Sequence, residues 1–167
     1  MPAARRVRVL IVDDSALVRR ILSDALSKQP DIEVVGWAPD PYVARERIAQ
    51  LRPDVMTLDI EMPRMDGLSF LSKLMKHFPM PVVVCSSLTP QHSDTALRAL
   101  SLGAVEVIAK PGSAMATSDV VDEVVRAVRT AANARVIRRV AAEPAAAAGA
   151  PRASVSTFST TNKIIAL

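Results

Sequence analysis

The chain has 167 residues, enough for one domain and a tail, and its composition is 50% apolar but only 3% aromatic, so the core must be aliphatic. The net charge of +4 comes from the C-terminal part, because residues 1–125 carry a balance of −2 and residues 126–167 a balance of +6. No aromatic residue lies among the arginines of that part, so we do not expect nucleic-acid binding. One cysteine, Cys85, excludes an internal disulfide, and the first apolar run, Val9–Val12, is too short for a signal peptide or a membrane span, which favours a cytoplasmic protein without membrane insertion.

The first 130 residues alternate between short β-branched runs and amphipathic stretches. The runs predict five strands, at Val7–Val12, Ile32–Trp37, Val55–Leu58, Val82–Cys85 and Ala104–Ile108. The stretches predict five helices, at Ser15–Ser27, Pro41–Leu51, Gly67–His77, Pro90–Leu102 and about Ser118–Arg139. Asp40 before Pro41 is typical of a helix start, and Gly103 of a helix end.

Strict alternation of strands and helices predicts an α/β fold with a parallel sheet covered by helices on both faces. The strand runs are almost continuously apolar, as expected for strands buried on both faces. In such a sheet, ligands bind beyond the carboxyl ends of the strands. The search for chemistry therefore starts at those ends.

The composition changes after Val140. Residues up to about 161 are rich in Ala, Pro, Ser and Thr, which is typical of a linker. The final NKIIAL turns apolar again and resembles the first strand of another domain. We therefore expect an N-terminal tail at 1–6, a main domain at 7–132, the end of the last helix and a linker at 133–161, and the start of a truncated second domain at 162–167.

Polar side chains follow four of the five predicted strands. Asp13 and Asp14 follow the first, Asp59 the third with Glu61 two residues later, Ser86 the fourth, and Lys110 the fifth. Crowded carboxylates repel one another and are costly to bury, so a divalent cation such as Mg²⁺ is expected among them. Asp59 is the candidate nucleophile, since a carboxylate can form an acyl phosphate. Lys110 would neutralise charge on a transferred phosphoryl group, and the Ser86 hydroxyl would donate to it.

The segments LIVDDSALVRRIL, DVMTLDIEMPRMDGLSFL, PVVVCSSLT and GAVEVIAKP resemble the receiver domains of two-component response regulators over residues 7–130. This resemblance implies a flavodoxin-like (βα)5 three-layer fold with a five-stranded parallel sheet of order 2-1-3-4-5.

The resemblance also assigns roles to the residues at the strand ends. It implies Asp59 as phosphoacceptor, Mg²⁺ or Mn²⁺ bound by Asp13, Asp14, Asp59 and the main-chain carbonyl of Glu61, and phosphate-binding or switch roles for Ser86 and Lys110. Pro111 is expected to form a cis bond with Lys110, which would direct the lysine. Many receivers carry an aromatic switch residue at the position of Val107, so the signal here is expected to leave the site through other packing.

Further segments, GWAPDPYVARERI, LDIEMPRMDGLSFL and SSLTPQHSDTALRALSLGAVEVIAKP, look like the chemotaxis protein-glutamate methylesterases, the CheB family. In that family a receiver is joined by a linker to an esterase domain that begins close to IIAIGASTGG. The implied partners are a histidine kinase of the CheA type, the attached esterase domain and methyl-accepting chemoreceptors. No esterase catalytic residue lies in this chain, whose own chemistry would be limited to phosphorylation and dephosphorylation of its aspartate.

Three alternatives remain open on the sequence. The chain fits a stand-alone receiver that docks a motor or a kinase, although the linker and NKIIAL argue against it. It also fits the receiver of a DNA-binding response regulator whose output domain lies downstream. A phosphatase of the haloacid dehalogenase type is disfavoured, since it requires Asp-x-Asp after the first strand and this chain has Asp13 and Asp14 adjacent.

Overall fold

A computed structural model describes residues 4–62, 65–87, 93–111 and 118–148, with backbone only for 135–148. Five parallel strands form one sheet of order β2-β1-β3-β4-β5, which confirms the predicted flavodoxin-like topology. The strands are β1 (Val7–Val12), β2 (Ile32–Ala38), β3 (Val55–Asp59), β4 (Val82–Ser86) and β5 (Glu106–Ala109). The helices are α1 (Ala16–Ser27), α2 (Pro41–Leu51), α3 (Gly67–His77), α4 (Ser93–Ser101) and α5 (Ser118–Ala148).

Each central strand contributes to two separate cores, because successive side chains point to opposite faces of a sheet. Leu10, Met56 and Val84 pack in the core beneath α2, α3 and α4. Val9 and Val83 pack in the other core, with residues of α1 and α5. Burial on both faces explains why the strand runs are continuously apolar in sequence.

The turns that start and stop helices follow the local sequence. Asp40 caps α2, because its Oδ1 accepts hydrogen bonds from the main-chain N–H groups of Tyr42 and Val43 at 2.9 Å each. Pro41 occupies the first turn, where a missing N–H costs nothing. Gly103 after α4 has φ of 116°, a left-handed conformation that favours glycine. Asp40 therefore caps the start of α2, and Gly103 follows the end of α4, as the sequence predicted.

Several predicted boundaries are shifted by one residue, and two are shifted by more. The predicted start of α4 at Pro90 lies outside the described residues. β5 begins at Glu106 instead of residue 104, because the N–H of Ala104 still donates to Ala99 O at 3.0 Å and so belongs to the end of α4. The helix α5 continues to Ala148, beyond the predicted Arg139, so the first alanines assigned to the linker are helical. Alanine has the highest helix propensity of all residues, which accounts for this extension.

Contacts divide the chain into two units, 1–134 and 135–167. The sheet belongs to the first unit, and the described part of the second is helical up to Ala148. The predicted linker beyond residue 148 and the predicted domain start at 162–167 lie outside the described residues. None of the described helices is long and apolar enough to cross a membrane.

Helix α3 starts in close contact with the end of β3. A Cβ atom on Gly67 would lie 2.3 Å from Ile60 Cα and 2.9 Å from Asp59 O, both of them main-chain atoms. Only glycine allows this approach. This close approach holds the start of α3 against the main chain that follows Asp59.

The substitution Gly67→Ala should therefore lower the free energy of unfolding by about 3 kcal/mol, because backbone has to move. Gly36→Ala is the matched control. Its Cβ would meet Leu51 Cδ1 at 2.7 Å, the mobile end of a side chain, so we expect a loss of only about 1 kcal/mol. Urea unfolding followed by the fluorescence of Trp37 measures both, and equal losses would contradict the argument.

Candidate phosphoryl-transfer site

Three carboxylates meet at the carboxyl edge of the sheet. Asp13 and Asp14 directly follow β1, Asp59 ends β3, and one ligand oxygen from each lies within 4.8 Å of the others. Asp13 and Asp59 are each 1% exposed, whereas Asp14 is exposed. The structure therefore brings together the three carboxylates selected from the sequence.

Lys110 supplies the positive charge next to this cluster. Its Nζ donates a hydrogen bond to Asp59 Oδ2 at 2.9 Å and lies 3.7 Å from Asp13 Oδ1. Its main-chain N–H donates to Ser86 O at 3.0 Å, which ties the end of β5 to the end of β4. Burial acts to lower the pKa of Lys110, but the bond to Asp59 and the surrounding carboxylates outweigh it, so the pKa is raised and the ammonium stays charged.

The predicted cis bond at Pro111 is wrong. The described residues contain no cis peptide bond, so the Lys110–Pro111 bond is trans. Trans is favoured by roughly 0.5–1 kcal/mol even before proline. Lys110 Nζ reaches Asp59 Oδ2 at 2.9 Å with this trans bond in place, so the cis isomer is not required for that contact.

The buried carboxylates are costly to ionise. Desolvation by burial raises the pKa of Asp13 to about 6, against the opposing effect of a hydrogen bond from the Ser15 N–H, and the charge of Asp59 adds to the increase. Burial also raises the pKa of Asp59, although the Glu61 N–H and Lys110 both act to lower it. One ammonium group therefore does not compensate this concentration of negative charge.

The donor set fits a hard divalent cation. Among the described residues no group donates a hydrogen bond to Asp13 Oδ2, although this oxygen is buried. A buried carboxylate oxygen without a partner is costly, and a cation bound by all three carboxylates would satisfy it. Oxygen ligands on adjacent loops with one exposed carboxylate match the preference of Mg²⁺, which keeps some of its waters.

The loop after β1 is held by a residue that sequence reasoning missed. Arg19 donates from its guanidinium to Asp13 O at 2.8 Å, and its Cζ lies 4.5 Å from the centre of the Trp37 ring. Ser15 N–H donates to Asp13 Oδ1 at 2.8 Å, which fixes the carboxylate itself. The role of Arg19 could have been suspected from the sequence. This arginine lies one turn into α1, and Trp37, the only tryptophan of the chain, lies on the strand beside β1.

The loops after β3 and β4 are joined by a second contact that was not predicted. Glu61 N–H donates to Asp59 Oδ1 at 2.8 Å, and the Glu61 carboxylate accepts bonds from the Ser87 hydroxyl at 2.7 Å and the Ser87 N–H at 3.3 Å. From the sequence, only the main-chain carbonyl of Glu61 was expected to have a role, as a metal ligand, and that role stays a prediction. Glu61 and Ser87 can both be picked out in the sequence, one two residues after Asp59 and the other next to Ser86. That they pair depends on the paths of two loops, which the sequence does not give.

The remaining predicted residues lie around the edge. Ser86 is 2% exposed, and its Oγ donates to Ser87 O at 3.3 Å. Val107, which stands where many receivers carry an aromatic switch residue, is half-buried. It packs against the core beneath α2, α3 and α4. Cys85 is a core residue in β4, and burial raises the pKa of its thiol, so it stays protonated.

Comparison with known proteins identifies the family. The profile of the response regulator receiver domain family matches residues 9–136, most of the chain. A protein-glutamate methylesterase/protein-glutamine glutaminase 2 of Syntrophus aciditrophicus is 52% identical over 162 residues, 97% of this chain and 47% of that protein. A relative with the same activities in its name, from Nitrosomonas europaea, is 50% identical over 153 residues, 90% of this chain and 42% of that protein. The chain thus spans about half the length of the curated relatives it matches.

Solved structures agree with this assignment. The response regulator domain of Thermotoga maritima CheB is 42% identical, with a TM-score of 0.70, over 77% of this chain and 98% of that one. A second structure shows the P1 domain of CheA3 in complex with CheY6 from R. sphaeroides, and the matched chain is 34% identical, with a TM-score of 0.63, over 77% of this chain and 98% of that one. On these matches and on the strand order, the chain belongs to the response regulator receiver domain family and is a receiver of the CheB type.

Proposed function

We propose that Asp59 accepts a phosphoryl group from the phosphohistidine of a histidine kinase. The observation that carries this proposal is the contact of a buried carboxylate with a lysine ammonium, Lys110 Nζ to Asp59 Oδ2 at 2.9 Å, inside a cluster of three carboxylates. In a receiver, such a carboxylate has the position and the charge partners that acyl-phosphate formation requires.

The transfer follows from the contacts of each group. An oxygen of Asp59 forms a bond to phosphorus while the P–N bond to the donor histidine breaks, and the leaving imidazole nitrogen keeps the electron pair. Lys110 already touches Asp59 and stabilises negative charge on the phosphoryl oxygens, and the Ser86 hydroxyl turns from Ser87 O to donate to one of them. Asp13, Asp14, Asp59 and the Glu61 carbonyl would hold Mg²⁺ or Mn²⁺, which supplies further charge neutralisation when bound.

The proposed donor is a CheA-type histidine kinase. This partner is supported by the relative CheY6, a chain 34% identical that was solved in complex with the P1 domain of CheA3. Asp14 is the exposed member of the carboxylate cluster, so we expect a partner's phosphohistidine to approach from its side.

The proposed output is an attached esterase. The curated relatives are named protein-glutamate methylesterases and glutaminases, and this chain matches less than half of their length. We infer that the protein controls, through a linker, a domain that hydrolyses glutamate methyl esters and deamidates glutamines on chemoreceptors. Phosphorylation shifts the receiver between two states and thereby relieves obstruction of that domain. A stand-alone or DNA-binding receiver is less well supported, because relatives at about 50% identity over nearly the whole chain carry methylesterase names.

Asp59→Asn should abolish phosphate incorporation from acetyl phosphate in the presence of Mg²⁺, because an amide cannot form the acyl phosphate. Intact-mass spectrometry of the protein measures the incorporation. Asp24→Asn is the matched control, since it makes the same change at an exposed carboxylate of α1 and should leave the incorporation unchanged. Undiminished incorporation in Asp59→Asn would refute the proposal.

In the full-length protein, a phosphodonor should raise the rate of methyl-ester hydrolysis on methylated chemoreceptors, and Asp59→Asn should remove the stimulation but keep the basal rate. The reason is that only the phosphorylated receiver state releases the esterase. Release of methanol from labelled receptors measures the rate. A basal rate that falls to zero in the variant, or stimulation that persists, contradicts this regulation.

Asp13→Asn should raise the free energy of unfolding of the metal-free protein at pH 7.5 by about 2 kcal/mol. The folded-state pKa of Asp13 is raised to about 6, so the fold binds more protons than the unfolded chain between about pH 4 and 6, and stability falls as pH rises through this window. The gain should disappear near pH 4, where Asp13 is protonated. Saturating Mg²⁺ should stabilise the wild type and hardly affect the variant.

Urea unfolding at the two pH values, with and without Mg²⁺, measures these effects. Glu46→Gln, an exposed neutralisation on α2, is the control and should show neither the pH-dependent gain nor a loss of the response to Mg²⁺. A destabilised Asp13→Asn variant at pH 7.5 would show that burial of this carboxylate is not costly.

A further inference from the structure

The Glu61 side chain joins the two loops that border the Asp59 carboxylate. Its Oε1 accepts a hydrogen bond from the Ser87 hydroxyl at 2.7 Å and its Oε2 accepts one from the Ser87 N–H at 3.3 Å. The main chain of the same residue donates to Asp59 Oδ1 at 2.8 Å. One residue thus contacts the proposed phosphoacceptor through its backbone and the neighbouring loop through its carboxylate.

The Ser87 donors belong to the segment that follows the strand next to Asp59. Asp59 is the register partner of Cys85, so the chain that continues through Ser86 and Ser87 passes the end of β3. A phosphoryl group on Asp59 adds negatively charged oxygens beyond the end of that strand. Main-chain N–H and hydroxyl groups bind carboxylate and phosphate oxygens alike.

We propose that the Glu61 carboxylate is an internal stand-in for the phosphoryl group. It occupies the Ser87 donors while Asp59 is unmodified, and it has to release them before those donors can bind the incoming phosphoryl oxygens. Glu61 is therefore a positioning residue that slows phosphorylation. The inference rests on the proposed function of Asp59.

Two physical effects make this carboxylate inhibitory. The first is charge, because Glu61 adds a fourth carboxylate next to Asp13, Asp14 and Asp59, the three that surround the Lys110 ammonium. A phosphoryl donor is itself an anion and is repelled. The second is occupancy, because the hydroxyl and N–H of Ser87 cannot serve two anions at full strength.

The Glu61 carboxylate takes no part in the bond changes of the chemical step. With acetyl phosphate, an Asp59 oxygen forms the new bond to phosphorus while the bond from phosphorus to the acetate oxygen breaks. Acetate leaves with the electron pair, and no proton is gained or lost. Glu61 changes the rate only through its charge and its hold on Ser87.

A purely structural role gives the opposite expectation. If Glu61 only clamps the two loops in a productive arrangement, its removal loosens the site and slows phosphorylation. The stand-in role predicts faster phosphorylation when the carboxylate is removed. The sign of the change therefore separates the two.

The test compares initial rates of Mg²⁺-dependent phosphorylation by acetyl phosphate in the wild type and in single variants, by intact-mass spectrometry. Glu61→Gln keeps an acceptor oxygen but loses the charge, and it should be about two- to fivefold faster than the wild type. Glu61→Ala also frees the Ser87 donors and should be faster still. Glu46→Gln removes an exposed charge on α2 and should match the wild type.

A second readout follows binding without any reaction. Beryllofluoride, an analogue of the phosphoryl group, should bind Glu61→Ala more tightly than the wild type, with Trp37 emission as the probe. In the Ser87→Ala background, where the 2.7 Å bond is absent, the effect of Glu61→Ala should shrink, since the two residues act through one contact.

The outcomes separate the two proposals. Rates of Glu61→Gln and Glu61→Ala equal to or below that of the wild type overturn the stand-in role while leaving Asp59 as the acceptor. Incorporation that persists in Asp59→Asn overturns the proposed function itself. Faster rates in both Glu61 variants, with Glu46→Gln unchanged, support the inference.

Discussion

The architecture of this site depends on one electrostatic constraint, the crowding of three carboxylates against one ammonium group among the described residues. Asp13 and Asp59 are removed from water at the edge of the sheet, and Lys110 reaches both. Burial makes their ionisation costly, and Asp13 keeps a buried oxygen without a hydrogen-bond partner among the described residues. Added positive charge would relieve this cost, which is the physical reason to expect a metal ion among these carboxylates.

The surrounding fold maintains this costly arrangement because it leaves the loops little freedom to move the charges apart. β1 and β3 are neighbours buried on both faces, so their last residues end side by side whatever the loops contain. Gly67 lets α3 start against the main chain of Ile60, and Arg19 holds the loop that carries Asp13. The stability of two aliphatic cores thus offsets the repulsion at the edge.

Two kinds of feature could be predicted from the sequence: elements with a repeating apolar pattern, and residues that directly follow a strand. Continuous β-branched runs predict buried parallel strands, and the topology then brings Asp13, Asp59 and Lys110 together although they are far apart in sequence. The contact between Glu61 and Ser87 could not be predicted, because it depends on the path of two loops. The expected cis bond at Pro111 was also wrong, and Lys110 reaches Asp59 with a trans bond.

Val107 narrows the routes by which phosphorylation can change the rest of the domain. It is half-buried against the core and offers no aromatic ring that could follow a moving hydroxyl. The bonded groups at this edge are Ser86, whose carbonyl accepts from the Lys110 N–H, and Ser87, which is held by Glu61. Movement of the loop after β4 therefore alters contacts with both β3 and β5 at once. On the proposed function, Ser86 and Ser87 are then the residues through which phosphorylation of Asp59 would alter the contacts of β4 with its neighbours.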